Sequence, residues 1–288
     1  MRYRVPAAFL TALLALTGCD DDGVSGPASQ EPAAIVRFLN AVPDTGTVDI
    51  RFIDKVENLP TFLGVPFRGH SGVYQKAGAG TRPTRVFPTA TDPVLTQIML
   101  IDTMLTLNSN GRYTLVYAGR ASGNQDRVAV LEDPATLPSP GAGSISIKVL
   151  HAAFGVGNVD VYVVPVSSAT AETPADWQTS RVAVISNRPY LSQTAYQDVP
   201  VRPTSGLPFY RFVVTAAGST TPLFAATPNL AGAQPPAGAS YGPQPGVQIS
   251  GSVLTLVVAS GAVPGTRQAT SANATPTAFF MIDKALNP

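Results

Sequence analysis

The sequence contains one stretch twice, and this internal repeat constrains the fold more than any other feature. Residues 36–52 align without a gap to residues 147–163, at an offset of 111 positions. Five aligned pairs are identical: Leu39/Leu150, Ala41/Ala152, Gly46/Gly157, Val48/Val159 and Asp49/Asp160. A self-match of this length predicts two structural units that share one architecture.

The apolar pattern predicts that the first unit is built from β-strands. Val36 and Phe38 fall on one face of a strand, whereas Arg37 and Leu39 fall on the other. A helical apolar period of about 3.6 residues does not persist beyond about two turns anywhere in the chain. We predict further strands at 48–52, 60–67, 72–75, 84–87, 94–107 (as two strands), 112–118 and 128–133.

The second unit keeps the same order of landmarks but is longer. The offset between matching landmarks grows from 111 to 150 positions, so 39 residues are inserted between them. Three later pairs of landmarks are Tyr74 with Tyr196, 113–117 with 254–258, and 129–133 with 279–283. Two candidate insertions, expected on surface loops, lie near 165–179, which carries the only Trp, and 228–246, which is rich in Pro, Gly and Ala.

The strand count and turn spacing predict an all-β fold of two tandem immunoglobulin-like β-sandwiches. Each unit holds six to eight short strands, with turn signals about every 8–12 residues. The Cys…Trp…Cys pattern of antibody domains is absent, so each sandwich is expected to be held by its apolar core alone. We predict the first sandwich at 34–138, a Pro/Gly-rich linker at 139–144 and the second sandwich at 145–288.

The N-terminus has the layout of an export signal. A basic start, Met1 to Arg4, precedes an apolar run from Val5 to Leu16 that is shorter than the ~20 residues needed to span a bilayer. Leu-Thr-Gly-Cys19 resembles the lipobox of bacterial lipoproteins, in which the Cys is lipidated and becomes the first mature residue. Residues 1–18 are therefore expected to be a signal peptide, and 19–33 a lipidated Cys followed by a disordered tether.

Cysteine usage and charge define the expected location and partners. Cys19 is the only Cys, and lipidation explains why an exported chain has a single Cys. The alternative is an ordinary secreted protein in which a Cys happens to stand at this position. Removal of Arg2 and Arg4 reduces the 19 basic residues to 17, against 18 acidic ones, which gives no electrostatic basis for binding nucleic acid. We expect a cell-envelope protein anchored by its lipid outside the cytoplasmic membrane.

The repeated stretch resembles the opening motif of the DUF4397 domain, a bacterial envelope family often found in tandem and in lipoproteins. In the first copy Asn40-Ala41, Pro43-Asp44 and Val48-Asp49-Ile50 match this motif, and in the second copy His151-Ala152 and Val159-Asp160-Val161 match. Tyr113-Thr-Leu115 and Leu131-Glu-Asp133 fit later landmarks of the family. The resemblance implies a pair of β-sandwiches and no established activity.

A His and an Asp close together in the repeat raise the question of catalysis, but comparison of the two copies favours a structural role. Asn40 stands where the second copy has His151, and a catalytic dyad does not tolerate that exchange. Either side chain can bridge backbone groups at the end of a strand. We predict that Asn40 and His151 brace the turn to the next strand, together with Asp49 and Asp160.

The sequence offers no recognisable metal, cofactor or nucleophile site. The chain has two His and one Cys and lacks the spacings of zinc and EF-hand sites. Gly69-His-Ser-Gly72 is one residue short of a nucleophile elbow and has no helix after it. We therefore predict no catalytic residues, no metal and no cofactor.

Two aromatic residues in the inserted loops are the candidates for ligand binding. Trp177 and Tyr241 could form a platform on which a sugar stacks, although a loop Trp is more often tucked onto its own sandwich. The main functional hypothesis is a noncatalytic envelope protein with a structural, adhesive or ligand-presenting role, possible partners being a glycan or another envelope protein. The alternatives are a glycan- or polymer-binding module and, third, an enzyme with a cleft of converging acids.

Overall fold

A computed structural model describes residues 32–54, 62–72, 74–92, 94–168, 170, 172–202 and 209–286. The signal peptide, Cys19 and the tether predicted before residue 32 lie outside the described residues. Within the described ranges the chain forms 17 β-strands, one short α-helix, α1 (Trp177–Ser180), and one 3-10 helix (Leu95–Gln97). The predicted fold class, an all-β chain with two tandem immunoglobulin-like β-sandwiches, is confirmed.

The first sandwich contains eight strands in two four-stranded sheets. They are β1 (Ala33–Asn40), β2 (Val48–Phe52), β3 (Phe62–Val65), β4 (Gln75–Gly78), β5 (Gly80–Pro88), β6 (Ile101–Leu107), β7 (Arg112–Ala118) and β8 (Arg127–Asp133). One sheet has the order β4-β1-β7-β8, and the other has the order β3-β2-β5-β6. β1 and β7 run parallel, whereas the other pairs are antiparallel.

The second sandwich has the same arrangement with one strand more. Its strands are β9 (Ser144–His151), β10 (Val159–Val166), β11 (Ala183–Arg188), β12 (Ser192–Gln193), β13 (Gln197–Pro200), β14 (Phe209–Ala216), β15 (Pro222–Ala226), β16 (Val253–Ala259) and β17 (Thr277–Lys284). One sheet has the order β12-β9-β16-β17, with β13 also pairing β9, and the other has the order β11-β10-β14-β15. β9 and β16 form the parallel pair that corresponds to β1 and β7.

Each sandwich has an apolar core between its two sheets. Alternate residues of the strands point inward, as the period of two in a β-strand requires. Val36, Phe38 and Leu115 belong to the first core, and Val149 and Leu256 belong to the second. All five side chains are completely buried.

The outward faces of the first sheet of each sandwich pack against each other, so the sandwiches share a third core. Leu39 and Val116 of the first sandwich cluster there with Leu150, Val257 and Met281 of the second, and all five are completely buried. As a consequence, both faces are buried in β1, β7, β9 and β16. In an isolated sandwich, one face of each of these strands would be exposed to solvent. The sequence left open whether the sandwiches pack together, and the structure shows that they do.

The stretch 94–107 was predicted to contain two strands, and for its first half this prediction is wrong. Leu95–Gln97 form a 3-10 turn, and only Ile101–Leu107 pair with β5. The apolar residues of the first half have no sheet to pack on, since Val94 and Leu95 are 72% and 44% exposed. High β-propensity therefore does not produce a strand where no neighbouring strand is available.

None of the helices among the described residues has both the length and the apolar character needed to cross a bilayer.

Candidate functional site

Asn40 lies at the end of β1, and its side chain spans the turn that leads to β2. Its Nδ2 donates to the carbonyl oxygens of Gly46 at 3.3 Å and Val65 at 3.1 Å. Its Oδ1 accepts the N–H of Val42 at 3.2 Å. The side chain is completely buried, so these bonds replace the water that its amide would otherwise bind.

His151 makes the equivalent contacts at the end of β9. Its Nδ1 accepts the N–H of Ala153 at 3.3 Å, which leaves the ring proton on Nε2, 3.0 Å from the carbonyl oxygen of Gly157. Burial lowers the pKa of His151, which favours this neutral form of the ring. Both residues thus have the contacts that a turn-bracing role requires, and the role itself stays a prediction.

Asp49 and Asp160 hold neighbouring loops rather than the turns at Asn40 and His151. Asp49 Oδ1 accepts the N–H of Gly64 at 2.8 Å, and Asp160 Oδ1 accepts the N–H of Asn187 at 2.6 Å. Gly64 and Asn187 both have positive φ, at 66° and 52°, a conformation that needs support, above all in a residue with a Cβ. Asp160 Oδ2 also accepts the N–H of Gly218 at 2.8 Å.

We expect Asn40→Ala to lower the stability of the first sandwich by about 1–3 kcal/mol, because it leaves the buried N–H of Val42 without its acceptor. The shift in the chemical denaturation midpoint measures this loss. The control is Asn158→Ala, since Asn158 is exposed and its side chain donates to the side chain of Asn187 at the surface. Equal stability of Asn40→Ala and the wild type would contradict the bracing role.

Trp177 and Tyr241 do not form the sugar-stacking platform that was considered as an alternative. Trp177 is only 8% exposed and clusters with Val164 and Val213 of the outer face of β10 and β14. Its ring meets Tyr162 edge to face, with centroids 4.8 Å apart. Tyr241 is 55% exposed. The Trp is thus tucked onto its own sandwich, and Tyr241 is the one member of the pair with a ring open to solvent.

A group of charged residues that the sequence reading did not single out lies where the two sandwiches meet. Arg37 on β1 and Lys148 on β9 are each completely buried, and Asp133 on β8 and Asp283 on β17 are 3% and 5% exposed. We call these four residues the ionic cluster. The pairing is reciprocal, because the base of each sandwich binds the acid of the other: Arg37 pairs with Asp283, and Lys148 pairs with Asp133.

The guanidinium group of Arg37 bonds to both sandwiches. Its Nη1 lies 2.6 Å from Asp283 Oδ1. Its Nε donates to the Thr114 hydroxyl at 2.9 Å, and its Nη2 donates to the Thr255 hydroxyl at 3.1 Å. Those hydroxyls in turn donate to Asp133 and Asp283, at 2.6 and 2.8 Å. Each charged group of this pair therefore also makes hydrogen bonds. A buried ion pair needs such bonds to offset the free energy lost when its charges are removed from water.

Lys148 makes the equivalent connection from the second sandwich. Its Nζ donates to Asp133 Oδ1 and, at 3.0 Å, to the side-chain oxygen of Gln193. It also lies 5.2 Å from the centre of the Tyr196 ring, as the Arg37 guanidinium lies 4.6 Å from that of Tyr74. The two halves of the cluster are thus built from corresponding positions of the two sandwiches.

Burial and ion pairing act in opposite directions on the pKa values of Asp133, Arg37 and Lys148. Burial alone would raise the pKa of Asp133, but Lys148 and Arg37 outweigh it and hold that pKa below its ordinary value of 3.8. Burial would likewise lower the pKa of Arg37, whereas Asp283 raises it. Burial does lower the pKa of Lys148, with Asp133 opposing the shift. Because the folded pKa of Asp133 is depressed, its stabilising contribution is present above about pH 4 and is lost as the pH falls through that lowered pKa.

A second polar contact joins the sandwiches at Arg68, which has a positive φ of 63°. Its Nε and Nη2 donate to the carbonyl oxygen of Ser260 at 3.2 and 2.6 Å, and Nη2 also donates to the carbonyl oxygen of Thr275. Burial lowers the pKa of Arg68 to about 10, so it remains charged at neutral pH. Its guanidinium group thus binds backbone carbonyl groups of the second sandwich.

The described residues hold no group of three or more His, Cys, Asp or Glu side chains able to bind a metal ion. Both carboxylates of the ionic cluster are bonded to bases and to threonine hydroxyls. The two ion pairs join the two sandwiches.

Residues 34–162 match a protein family. It is DUF4397, a domain of unknown function. The match confirms the sequence resemblance for these residues, which cover the first sandwich, β9 and the first half of β10. The DUF4397 match includes Arg37, Asp133 and Lys148 and ends before Asp283. No curated protein matches the chain.

Two solved structures are distantly similar. A carbohydrate-binding module of family CBM26 from Eubacterium rectale Amy13K, in complex with maltoheptaose, shows 10% identity and a TM-score of 0.21, covering 78% of this chain and 91% of that chain. A structure described as α-glucan binding by a streptococcal virulence factor shows 14% identity and a TM-score of 0.19, covering 63% and 79%. At such scores neither likeness carries information on function.

Proposed function

We propose that this protein is a noncatalytic envelope protein whose role is structural: it forms a rigid, two-sandwich body that presents its outer surfaces to other envelope components. The observation that carries the proposal is the ionic cluster. Buried charges at corresponding positions of the two sandwiches pair with each other across the interface. Such pairs fix the position of one sandwich relative to the other, which supports a structural role rather than a catalytic one.

We also propose that the second sandwich is a diverged second copy of the DUF4397 domain. The gapless match of 36–52 to 147–163 supports this, as do the two parallel pairs, β1 with β7 and β9 with β16. In both pairs the register agrees, since Phe38 lies opposite Leu115 and Val149 lies opposite Leu256. Duplication explains why the base of one copy finds the acid of the other.

The lipid anchor at Cys19 is part of the proposal and has a direct test. In the native host, the wild-type protein should fractionate with membranes, and Cys19→Ser should be released into the soluble exported fraction, because it lacks the acyl chains that hold the protein to the bilayer. A strain carrying only Cys19→Ser should then show the same envelope defect as a strain without the protein. Membrane retention of Cys19→Ser would refute the anchor.

Glycan binding through the loops of the second sandwich is the competing function, and a glycan array separates the two. The burial of Trp177 removes one half of the proposed platform, and Tyr241 remains as the exposed aromatic residue. We expect the purified protein to bind no glycan on the array above background. Saturable binding of one glycan class that Tyr241→Ala abolishes would replace the structural proposal with a lectin function.

A further inference from the structure

A cleft of about 610 Å³ opens beside the ionic cluster, on the boundary between the sandwiches. Its walls are mostly apolar and come from the second sandwich, with Leu230, Phe280 and Ile282 among them. The first sandwich contributes Arg112, Tyr74 and His70. The volume falls in the range of about 300–1,000 Å³ that small-molecule sites occupy, and apolar walls with a few polar groups are their usual lining.

The charges around this cleft do not balance. Arg112 lies 4.5 Å from the centre of the Tyr74 ring, and the guanidinium of Arg37 lies 4.6 Å from the same ring. With Lys148, the buried region therefore gathers three cations around two carboxylates, Asp133 and Asp283. Both carboxylates are already bonded to Arg37 or Lys148 and to threonine hydroxyls.

Arg112 is the cation in excess. Among the described residues no carboxylate forms an ion pair with it. Its Nε is buried and has no hydrogen-bond acceptor in that part of the chain. A buried donor without an acceptor destabilises the folded protein, and more so when it is charged, so an anion bound to it would remove this loss.

The other polar groups of the lining fit an anionic ligand. His70 Nδ1 accepts the N–H of Gly72 at 3.0 Å, which places the ring proton on Nε2, so the free nitrogen is a donor. Asp283 also borders the cleft, but its oxygens are bonded to Arg37 and Thr255. The available groups are thus donors, set among apolar side chains.

We propose that this cleft binds an apolar molecule with a single carboxylate, such as a medium-chain fatty acid. The carboxylate pairs with Arg112, in the two-pronged geometry that guanidinium groups favour. The hydrocarbon chain lies against Leu230, Phe280 and Ile282. Arg112 takes no part in the pairs of the ionic cluster, so its substitution leaves both of those pairs in place.

Isothermal titration of the protein with decanoate tests this site. We expect saturable binding in the submillimolar range, with decanol (the same chain without the charge) and acetate (the charge without the chain) each at least about tenfold weaker. Arg112→Met should weaken decanoate binding about tenfold or more and leave decanol binding unchanged. Equal affinities for decanoate and decanol, or no saturable decanoate binding, would overturn the proposal.

Two further variants distinguish a specific loss of decanoate binding from a loss of folding. Arg85→Met removes an arginine on the other sheet of the first sandwich, where it pairs with Asp102, and should bind decanoate like the wild type. Leu230→Trp fills the cleft without touching Arg112 and should abolish binding while the melting transition stays cooperative. Undiminished binding by Leu230→Trp would place decanoate elsewhere and overturn the assignment.

Discussion

Asp283→Ala should destabilise the protein by about 3–5 kcal/mol, because it leaves the guanidinium of Arg37 buried without its carboxylate. The loss is large because Arg112 lies close to the cluster as a third cation, and the substitution leaves Asp133 as the single acid. Chemical denaturation followed by far-ultraviolet circular dichroism measures the change. The expected loss is a large fraction of the stability of an ordinary protein.

The matched control is Asp102→Ala, which breaks a similar Arg–Asp pair at the surface. Arg85 and Asp102 are 39% and 43% exposed, so water replaces the lost partner and the change should stay below about 1 kcal/mol. The double variant Arg37→Met/Asp283→Leu should lose less than the sum of its single variants, by about 0.5–3 kcal/mol. If Asp283→Ala cost no more than Asp102→Ala, the ionic cluster would not couple the sandwiches.

Trp177→Ala should destabilise the protein by about 3–5 kcal/mol, the usual loss for truncating a buried Trp. The ring covers Val164 and Val213 on the outer face of the second sandwich and meets Tyr162 edge to face. Since Trp177 is the only Trp, unfolding of the variant must be followed by circular dichroism rather than by Trp fluorescence.

Tyr241→Ala is the control for Trp177→Ala, because it removes an exposed aromatic residue from another inserted loop. We expect a change within about 0.5 kcal/mol for Tyr241→Ala. A Trp177→Ala variant as stable as the wild type would show that the ring is not part of the packing, and would return Trp177 to the residues able to stack on a sugar.

The local sequence pattern is sufficient to predict strands that expose one face to solvent or that lie next to a clear turn signal. The strands predicted at 48–52 and 112–118 are observed as β2 and β7, within those bounds. Alternation and turn chemistry determine such elements locally. The stretch 94–107 shows the limit, because an apolar run forms a strand only where a neighbouring strand can accept it, as β5 does for Ile101–Leu107.

The ionic cluster could not be predicted with the same rules, since its pairs join residues of different sandwiches. Arg37 was placed with Leu39 on one face of β1, and it is buried because that face meets the second sandwich. One signal was present. Tyr113 to Ala118 and Val253 to Ala259 run almost without polar residues, which is typical of strands covered on both faces. The single Thr in each run, Thr114 and Thr255, marks the position of the buried charges.

Cooperativity of unfolding tests the central claim most directly, that the shared core and the ionic cluster make the two sandwiches one body. Differential scanning calorimetry of the wild-type protein should show one transition whose calorimetric and van't Hoff enthalpies agree. Two separable transitions in the wild type, each with the enthalpy of a single sandwich, would contradict it.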